Sequence, residues 1–340
     1  MKIEFQGIKK TKKTILEKLM QTSDSIDSLK NALSSLNIFS SIEEKDKNKI
    51  KVVEDKSRIN ISSNSEKNNS LNISLTNLFG RAINSKINIS NLSNYSFKIS
   101  SPIIANKLFF LNFSNTKSLL NLPCGSYGVN KSDVGLVLDN LKISMGLDSI
   151  QGDRNKYLSL NYTAPSVGLN IKQDLTSPFT KIEAENKLSV SLLPFLKHSL
   201  RIGVGCILGK SPQYERFFLG RNIRGYKDKT ISPVDFNVKN GGLSYIEVTN
   251  RLILNISKIN LYLFNSLGYN SRQQNLVNTA RETYKEIRNM NNSAFGLSVG
   301  VGACVPLSND SGTKLDAALS FPLTNNKNVE RYQFDLNFDF

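Results

Sequence analysis

The chain is poor in the residues that build most chemical centres. Its 340 residues include one histidine, His198, and three cysteines, Cys124, Cys206 and Cys304. The cysteines are odd in number, far apart and without a CxxC pair, which argues against a disulfide framework and a structural zinc site. One histidine, placed after a lysine at the start of an expected strand, supports neither a triad nor a metal centre and reads as a surface residue. GxxxxGK and GxGxxG are both absent, so no phosphate-cradling loop is expected. With no carboxylate pair, triad or ligand cluster at a usable spacing, the chain does not read as an enzyme; no catalytic residue, cofactor or metal is expected. No window approaches the ~18 consecutive apolar residues of a spanning helix, and mean hydropathy is −0.27. The opening MKIEFQGIKK has neither the apolar core of a secretory signal nor the Ser/Arg-rich helix of a transit peptide. Entry into an organelle would need an internal or C-terminal address.

Basic residues are in excess, 44 Lys and Arg against 28 Asp and Glu, for a net charge of +16. Such a charge suits nucleic acid or an acidic surface. Here Lys arrives with abundant Asn, Ser and Ile along the whole chain, and the basic residues are not interleaved with aromatics. That pattern reads as compositional drift rather than a binding stripe, and no nucleic-acid partner is expected.

What the chain does have is periodicity, of two kinds. In residues 1–61, Ile3 and Phe5 open a short β-like segment, and Ile15, Leu16, Leu19 and Met20 recur at helical spacing. Ile26, Leu29, Leu33 and Leu36 line a second helix that Asp24 or Ser25 can cap. Ile50-Lys51-Val52 reads as a strand. A polar, apolar-poor stretch at 62–69 reads as a linker. From about 70 to 340 the period is two. Phe295, Leu297, Val299, Val301, Ala303 and Val305 face one way, and Gly296, Ser298, Gly300, Gly302 and Cys304 the other. Tyr332, Phe334, Leu336, Phe338 and Phe340 alternate in the same way with Gln333, Asp335, Asn337 and Asp339. Alternation of this length matches the ~9–11 residues of a tilted membrane strand. Turn clusters divide 70–340 into about sixteen antiparallel strands, an even number suited to a closed transmembrane barrel. Two interruptions are long: 209–240, and 270–293, which is rich in Asn and Arg and reads as a solvent loop. A soluble β-sandwich is the competing architecture; it would have shorter strands with the apolar face turned inward.

The first interruption holds the most specific residues: Phe217-Phe218-Leu219-Gly220, then Ile223-Arg224-Gly225-Tyr226. This motif between β-like segments resembles the insertion-loop signature of the outer-membrane β-barrel assembly superfamily, the BamA-like insertases. Within that superfamily the chain most resembles the core subunit of the mitochondrial sorting and assembly machinery. The first 61 residues resemble its polypeptide-transport-associated (POTRA) domain. Gln333-x-Asp335-x-x-Phe338-x-Phe340 resembles the C-terminal β-signal of mitochondrial barrel proteins, with Asp335 in place of the usual glycine.

The resemblance implies that the loop folds back into the barrel and that Arg224 meets polar groups on its wall. Glu247, Thr249 and Arg251 have the inward parity, opposite Ile246, Val248, Leu252 and Leu254. In the family's Phe-x-Asn/Asp-x-Gly segment, Ser266 stands where an acid or amide is usual, so Glu247 becomes the preferred partner of Arg224, with Ser266 the other. A buried guanidinium calls for bidentate or multiple acceptors. Gly203, Gly205, Gly300 and Gly302 would make room for the loop. A first strand at Leu71, Asn72, Ile73, Ser74 and Leu75 would pair weakly with the last, forming a lateral gate. Incoming strands of unfolded β-barrel precursors would join there by β-augmentation. The expected setting is a mitochondrial, or mitosomal, outer membrane, with POTRA in the intermembrane space, accessory subunits of a sorting and assembly complex, and the lipid bilayer as partners. A protein-translocating pore of the same superfamily is the alternative function.

Overall fold

The computed structural model of the chain describes residues 3–337 except 47–48, 64–68, 91–93, 105–107, 139, 221, 236–237, 257–258, 291, 307–313 and 325–328. Its contacts divide into two compact units, residues 1–120 with 127–160, and residues 121–126 with 161–340.

The first unit opens with a small α/β domain: β1 (Glu4–Gln6), α1 (Lys13–Thr22), α2 (Ile26–Ser35), β2 (Phe39–Asp46) and β3 (Lys49–Glu54). The helical spacing read from the sequence buries Leu16, Leu19, Leu29, Leu33 and Leu36 on Ile38, Ile50 and Val52. Ser25 caps α2 by accepting from the Ser28 backbone N–H at 3.1 Å. Asn37, with φ 52°, takes the left-handed conformation that ends the helix. β3 is central, parallel to β1 and antiparallel to β2.

Eight strands of the large antiparallel sheet belong mainly to this unit: β4 (Arg58–Ser63), β5 (Asn69–Leu78), β6 (Ile83–Ser90), β7 (Asn94–Ile104), β8 (Leu108–Leu122), β9 (Gly125–Leu138), β10 (Leu141–Ile150) and β11 (Asp153–Thr163). The β5–β6 turn is stitched to the small domain. Asn77 Nδ2 donates to Thr11 Oγ1 at 2.8 Å, and Asn84 Nδ2 donates to the Leu36 carbonyl at 2.9 Å. Thr11 in turn donates from its backbone to Glu54 Oε1 at 2.8 Å and from its hydroxyl at 2.6 Å.

The second unit contains β12 (Val167–Asp174), β13 (Phe179–Leu193), β14 (Leu196–Gly209), the small hairpin β15 (Val234–Asp235) and β16 (Val238–Lys239), β17 (Ser244–Ile256), β18 (Ile259–Ser271), α3 (Leu276–Asn289), β19 (Phe295–Pro306), β20 (Lys314–Pro322) and β21 (Tyr332–Asn337). Successive strands pair antiparallel, with β14 joined directly to β17 across the loop that carries β15 and β16.

In both units the polarity of the alternation is the reverse of a soluble sheet. Ile143, Met145, Leu147, Leu252, Leu263, Val299 and Val301 are exposed, while Ser144, Asp148, Thr249, Ser266, Ser298 and Ser320 are buried. On β19, Val299 is 38% exposed and its neighbour Ser298 is 0%. A sandwich core would bury the first set, so the sandwich expectation fails; an apolar outward band is what lipid selects.

Three sequence expectations are corrected here. β4 runs over 58–63 and pairs with β5, so the strand of Leu71, Asn72, Ile73, Ser74 and Leu75 is second in the sheet, not first. Sequence polarity hid β4, because Asn60, Ser62 and Ser63 alternate with only two isoleucines. The small sheet ends at Glu54, so the domain boundary falls before Arg58 rather than after 61, and strand structure enters both ends of the expected linker. The large sheet has sixteen strands among the described residues, the number expected, with β4 as one of them and fifteen from Asn69 onward. In the second unit, the expected solvent loop at 270–293 contains α3.

Candidate functional site

The connection between β14 and β17 covers 210–243 and packs on the polar, buried face of the second unit's strands. It is anchored at three places. The first is ionic: Glu215, in a short 3-10 turn over Gln213–Glu215, accepts from Lys172 Nζ at 2.8 Å, and Lys181 Nζ donates to its carbonyl at 3.0 Å.

The second anchor is the apolar FFLG half of the motif. Extended backbone turns Phe217 and Leu219 to the same buried side. Phe217 forms a backbone bridge with Gly242, and Leu219 one with Ile231. The Phe217 ring meets Tyr245 edge-on with centroids 4.7 Å apart, and Lys181 Nζ lies 4.7 Å from its centre. Asn270 Nδ2 donates to the Phe217 carbonyl at 2.7 Å. Phe218 is only half-buried. Gly220 closes the turn, where a Cβ would collide with the backbone of Lys227 and Lys229.

The third anchor is IRGY. Ile223 is buried against Gly268 of β18; a Cβ on that glycine would overlap Ile223 Cδ1. Arg224, also buried, sends Nη2 to Asp316 Oδ2 on β20 at 2.6 Å. The other carboxylate oxygen of Asp316 accepts from the Tyr262 hydroxyl. The guanidinium carbon sits 5.3 Å from the Tyr262 ring centre and 5.6 Å from that of Phe264. Nη1 has no hydrogen-bond partner among the described residues. One charge-assisted bond and two aromatic faces hold this cation, instead of the bidentate or multiple acceptors expected.

Gly225 has φ +93°, which favours glycine, and a Cβ there would press within 3.1 Å of Pro322 and Ser320. Its carbonyl accepts from the Glu330 N–H at 2.8 Å. Tyr226 is fully buried. Its hydroxyl donates to the Leu297 carbonyl at 2.9 Å, accepts from the Leu297 N–H at 3.0 Å, and lies 2.7 Å from Thr324 Oγ1.

The expected partners of Arg224 are thereby replaced. Glu247 is buried on the correct face but pairs with Arg201 at 3.2 Å. Ser266 is buried and sits 3.3 Å from the Thr249 hydroxyl. Arg251 lies over the Tyr262 ring, 5.4 Å from its centre. Asp316 was not anticipated, although its parity signalled it: in LDAALSF, Asp316, Ala318 and Ser320 alternate with Leu315, Leu319 and Phe321. The glycines divide differently too. Gly203 makes room for Glu247, and Gly300 and Gly302 for Phe264 and Tyr262. Of the four expected, only Gly205 faces the loop, through Phe217; Gly268 and Gly296 do the rest, the latter against Ile231 and Tyr226.

Gln333 of the terminal motif is buried, and its Nε2 donates to the Tyr226 carbonyl at 3.4 Å, so the last strand also touches the loop. Asp335 lies opposite Asp316 in the β20–β21 ladder. Phe338 and Phe340 lie outside the described residues.

Residues 166–340, just over half of the chain, match the Omp85 superfamily domain. The chain belongs to the Omp85 superfamily. Two solved structures share the fold of this Omp85 chain. BamA from Haemophilus ducreyi lacking POTRA domains 1–3 has a TM-score of 0.66 at 14% identity, covering 98% of this chain and 83% of that one. CdiB from Escherichia coli has a TM-score of 0.51 at 10% identity, covering 98% and 75%. At such identities the likeness is one of fold. No curated protein matches the chain in sequence. Omp85 membership places it among outer-membrane barrel proteins of protein insertion or transport.

Proposed function

We propose that this Omp85 chain is an insertase that folds β-barrel precursors into the outer membrane of a mitochondrion or mitosome. The observation that carries the reading is the docked IRGY loop. Arg224, Gly225 and Tyr226 are bonded to β19, β20 and the approach to β21, which fixes the C-terminal end of the sheet from its buried face.

Among the described residues β4 is bonded only to β5, and β21 only to β20. Each leaves a row of N–H and C=O groups open to β-augmentation. In hydrocarbon an unpaired backbone group costs several kcal/mol, so a client strand that pairs as it enters lipid avoids that cost. No chemical bond is made, and client folding supplies the free energy. The β-α-α-β-β domain acts as a single POTRA module on the intermembrane-space side, and accessory subunits of a sorting and assembly complex complete the machine. Gln333, Asp335, Phe338 and Phe340 form the chain's own insertion signal.

The test is conditional depletion, followed by native gels of newly imported porin-type precursors. Stalled barrel precursors with normal import of helical outer-membrane proteins support the insertase. Unaffected barrels overturn it and move the function to a translocating pore.

A further inference from the structure

Helix α3 leaves the end of β18 and lies over the outward face of β17–β19, away from the IRGY loop. Its fourteen residues fall into three sectors. Glu282 and Glu286 are turned to the protein: Glu282 accepts from Ser271 Oγ at 2.7 Å and Gln273 Nε2 at 2.6 Å, and Glu286 from Asn292 Nδ2 at 3.2 Å. Val277, Ala280, Tyr284 and Ile287, at spacings of three and four, form an exposed apolar sector. Arg281, Lys285 and Arg288 form an exposed cationic one, while Glu282 and Glu286 are only partly exposed.

Between the apolar sector and outward side chains that include Ile246, Val248, Leu267 and Val299 runs a cavity of about 580 Å³, within the range of small-molecule sites. Arg288 lies beside it, held on the Tyr284 that lines it. Its guanidinium lies 4.9 Å from the Tyr284 ring centre and donates to the Tyr284 hydroxyl at 2.7 Å.

We propose that α3 and the outward face of β17–β19 bind one anionic phospholipid, an acyl chain in the cavity and the phosphate on Arg288 and Arg281. The occupant follows from the walls. The strand side of the cavity is continuous with the apolar band that faces the bilayer, and an interfacial helix with cations beside an apolar stripe fits the headgroup layer. Tyrosine with an apolar ring and polar tip suits the same depth. The site concerns lipid and holds for an insertase or a pore alike.

The chain has no tryptophan, so Tyr284→Trp gives the full-length protein a single indole inside the site. The protein is reconstituted into vesicles of phosphatidylcholine with or without phosphatidylglycerol, one lipid at a time brominated in its acyl chains. Quenching is expected to be stronger from brominated phosphatidylglycerol. The preference should fall about fivefold for each of Arg281→Ala and Arg288→Ala. Equal quenching by both lipids, untouched by those variants, overturns the proposal. So does quenching by aqueous iodide alone, and so does protection from every quencher, which would mean a protein partner covers the helix. Native mass spectrometry of the unaltered chain decides independently of the fluorophore. Phosphatidylglycerol retained by it and lost from the double arginine variant supports the site; no retention overturns it.

Discussion

Two long connections in the second unit, one leaving β14 and one leaving β18 on either side of β17, come to rest on opposite faces of the strands. Residues 210–243 pack on the buried polar face, and residues 272–294 on the outward apolar one. The difference lies in what each face offers. The polar face presents Gly268 and Gly296, which admit the side chains of Ile223, Ile231 and Tyr226, and an acid, Asp316, that fits one guanidinium. Contacts there are specific in geometry and intolerant of change. The outward face presents branched aliphatic side chains with no hydrogen-bonding capacity, and α3 covers it loosely enough to leave a cavity. Its polar fastening is at the strand ends, through Glu282 to Tyr269 and Ser271.

The sharpest way to break this contrast is Arg224→Ala. It leaves Asp316 buried with no cationic partner, an arrangement that costs about 3–5 kcal/mol. The expected outcome is release of the loop, read as new protease cleavage in 216–230 and a lower unfolding temperature by heat-modified gel mobility. Arg224→Leu combined with Asp316→Leu should recover much of the loss in stability while client assembly stays impaired. If R224A keeps both the loop and the melting point, the ion pair is not an anchor.

Gly268→Val is the steric counterpart. The new side chain takes the place of Ile223 Cδ1, and overpacking of this kind costs about 1–3 kcal/mol. The same gel should show a smaller destabilisation. Val299→Leu, on the opposite face of the adjacent strand, should leave stability unchanged. Equal effects at the two sites would erase the distinction between the faces.

Tyr226→Phe keeps the ring buried and removes the hydroxyl that satisfies Leu297 and Thr324, at about 1 kcal/mol per lost bond. Its melting point should fall less than that of R224A, and the loop should remain protected. At the small end, Tyr284→Ser on α3 touches only the outward face and should shift unfolding by no more than about 0.5 kcal/mol.

The first unit supplies a pH-dependent reference of its own. Burial pushes the Glu54 carboxyl up, but hydrogen bonds from the Thr11 hydroxyl and from the Thr11 and Lys10 backbones hold it below its usual 4.5. A depressed folded-state pKa contributes stability above the unfolded value, and that contribution is lost as pH falls through the folded one. Hydrogen exchange around 9–12 and 50–55 should therefore quicken as the pH drops below about 4.5. In Glu54→Gln the same segments should exchange faster at neutral pH and change less with acid; an unaltered profile would remove Glu54 from this junction.

Much of this was legible in the chain, because the relevant physics is local. Side-chain parity along a strand needs only the sequence, so the sharing of one face by Val299 and Val301, and of the opposite face to Ile246 and Val248 by Glu247 and Thr249, followed from counting in twos, while the direction of each face followed from the family resemblance. The helices of the small domain followed from spacing, and the Ser25 cap from one residue type in one place. The α3 segment was legible too: Asn275 caps it, and Val277, Ala280, Tyr284 and Ile287 keep helical spacing. Its Asn- and Arg-rich composition masks that spacing.

The pairings were beyond the sequence. Parity says that Glu247 and Asp316 both face inward, but not which lies beside Arg224. That depends on the stagger accumulated from β14 to β20 and on the path of a 34-residue connection, neither of which a local pattern encodes. Nor does parity say which glycine a loop side chain will fill, since Gly302 and Gly268 look alike until Tyr262 occupies one and Ile223 the other. The sequence by itself determined the strand period, the sets of residues that share a face and the insertion-loop motif. Only the tertiary structure decided that Asp316 closes the Arg224 site and that α3 lies on the lipid-facing side, because charge pairing and packing act across space between residues that the chain brings together only through the register of the whole sheet.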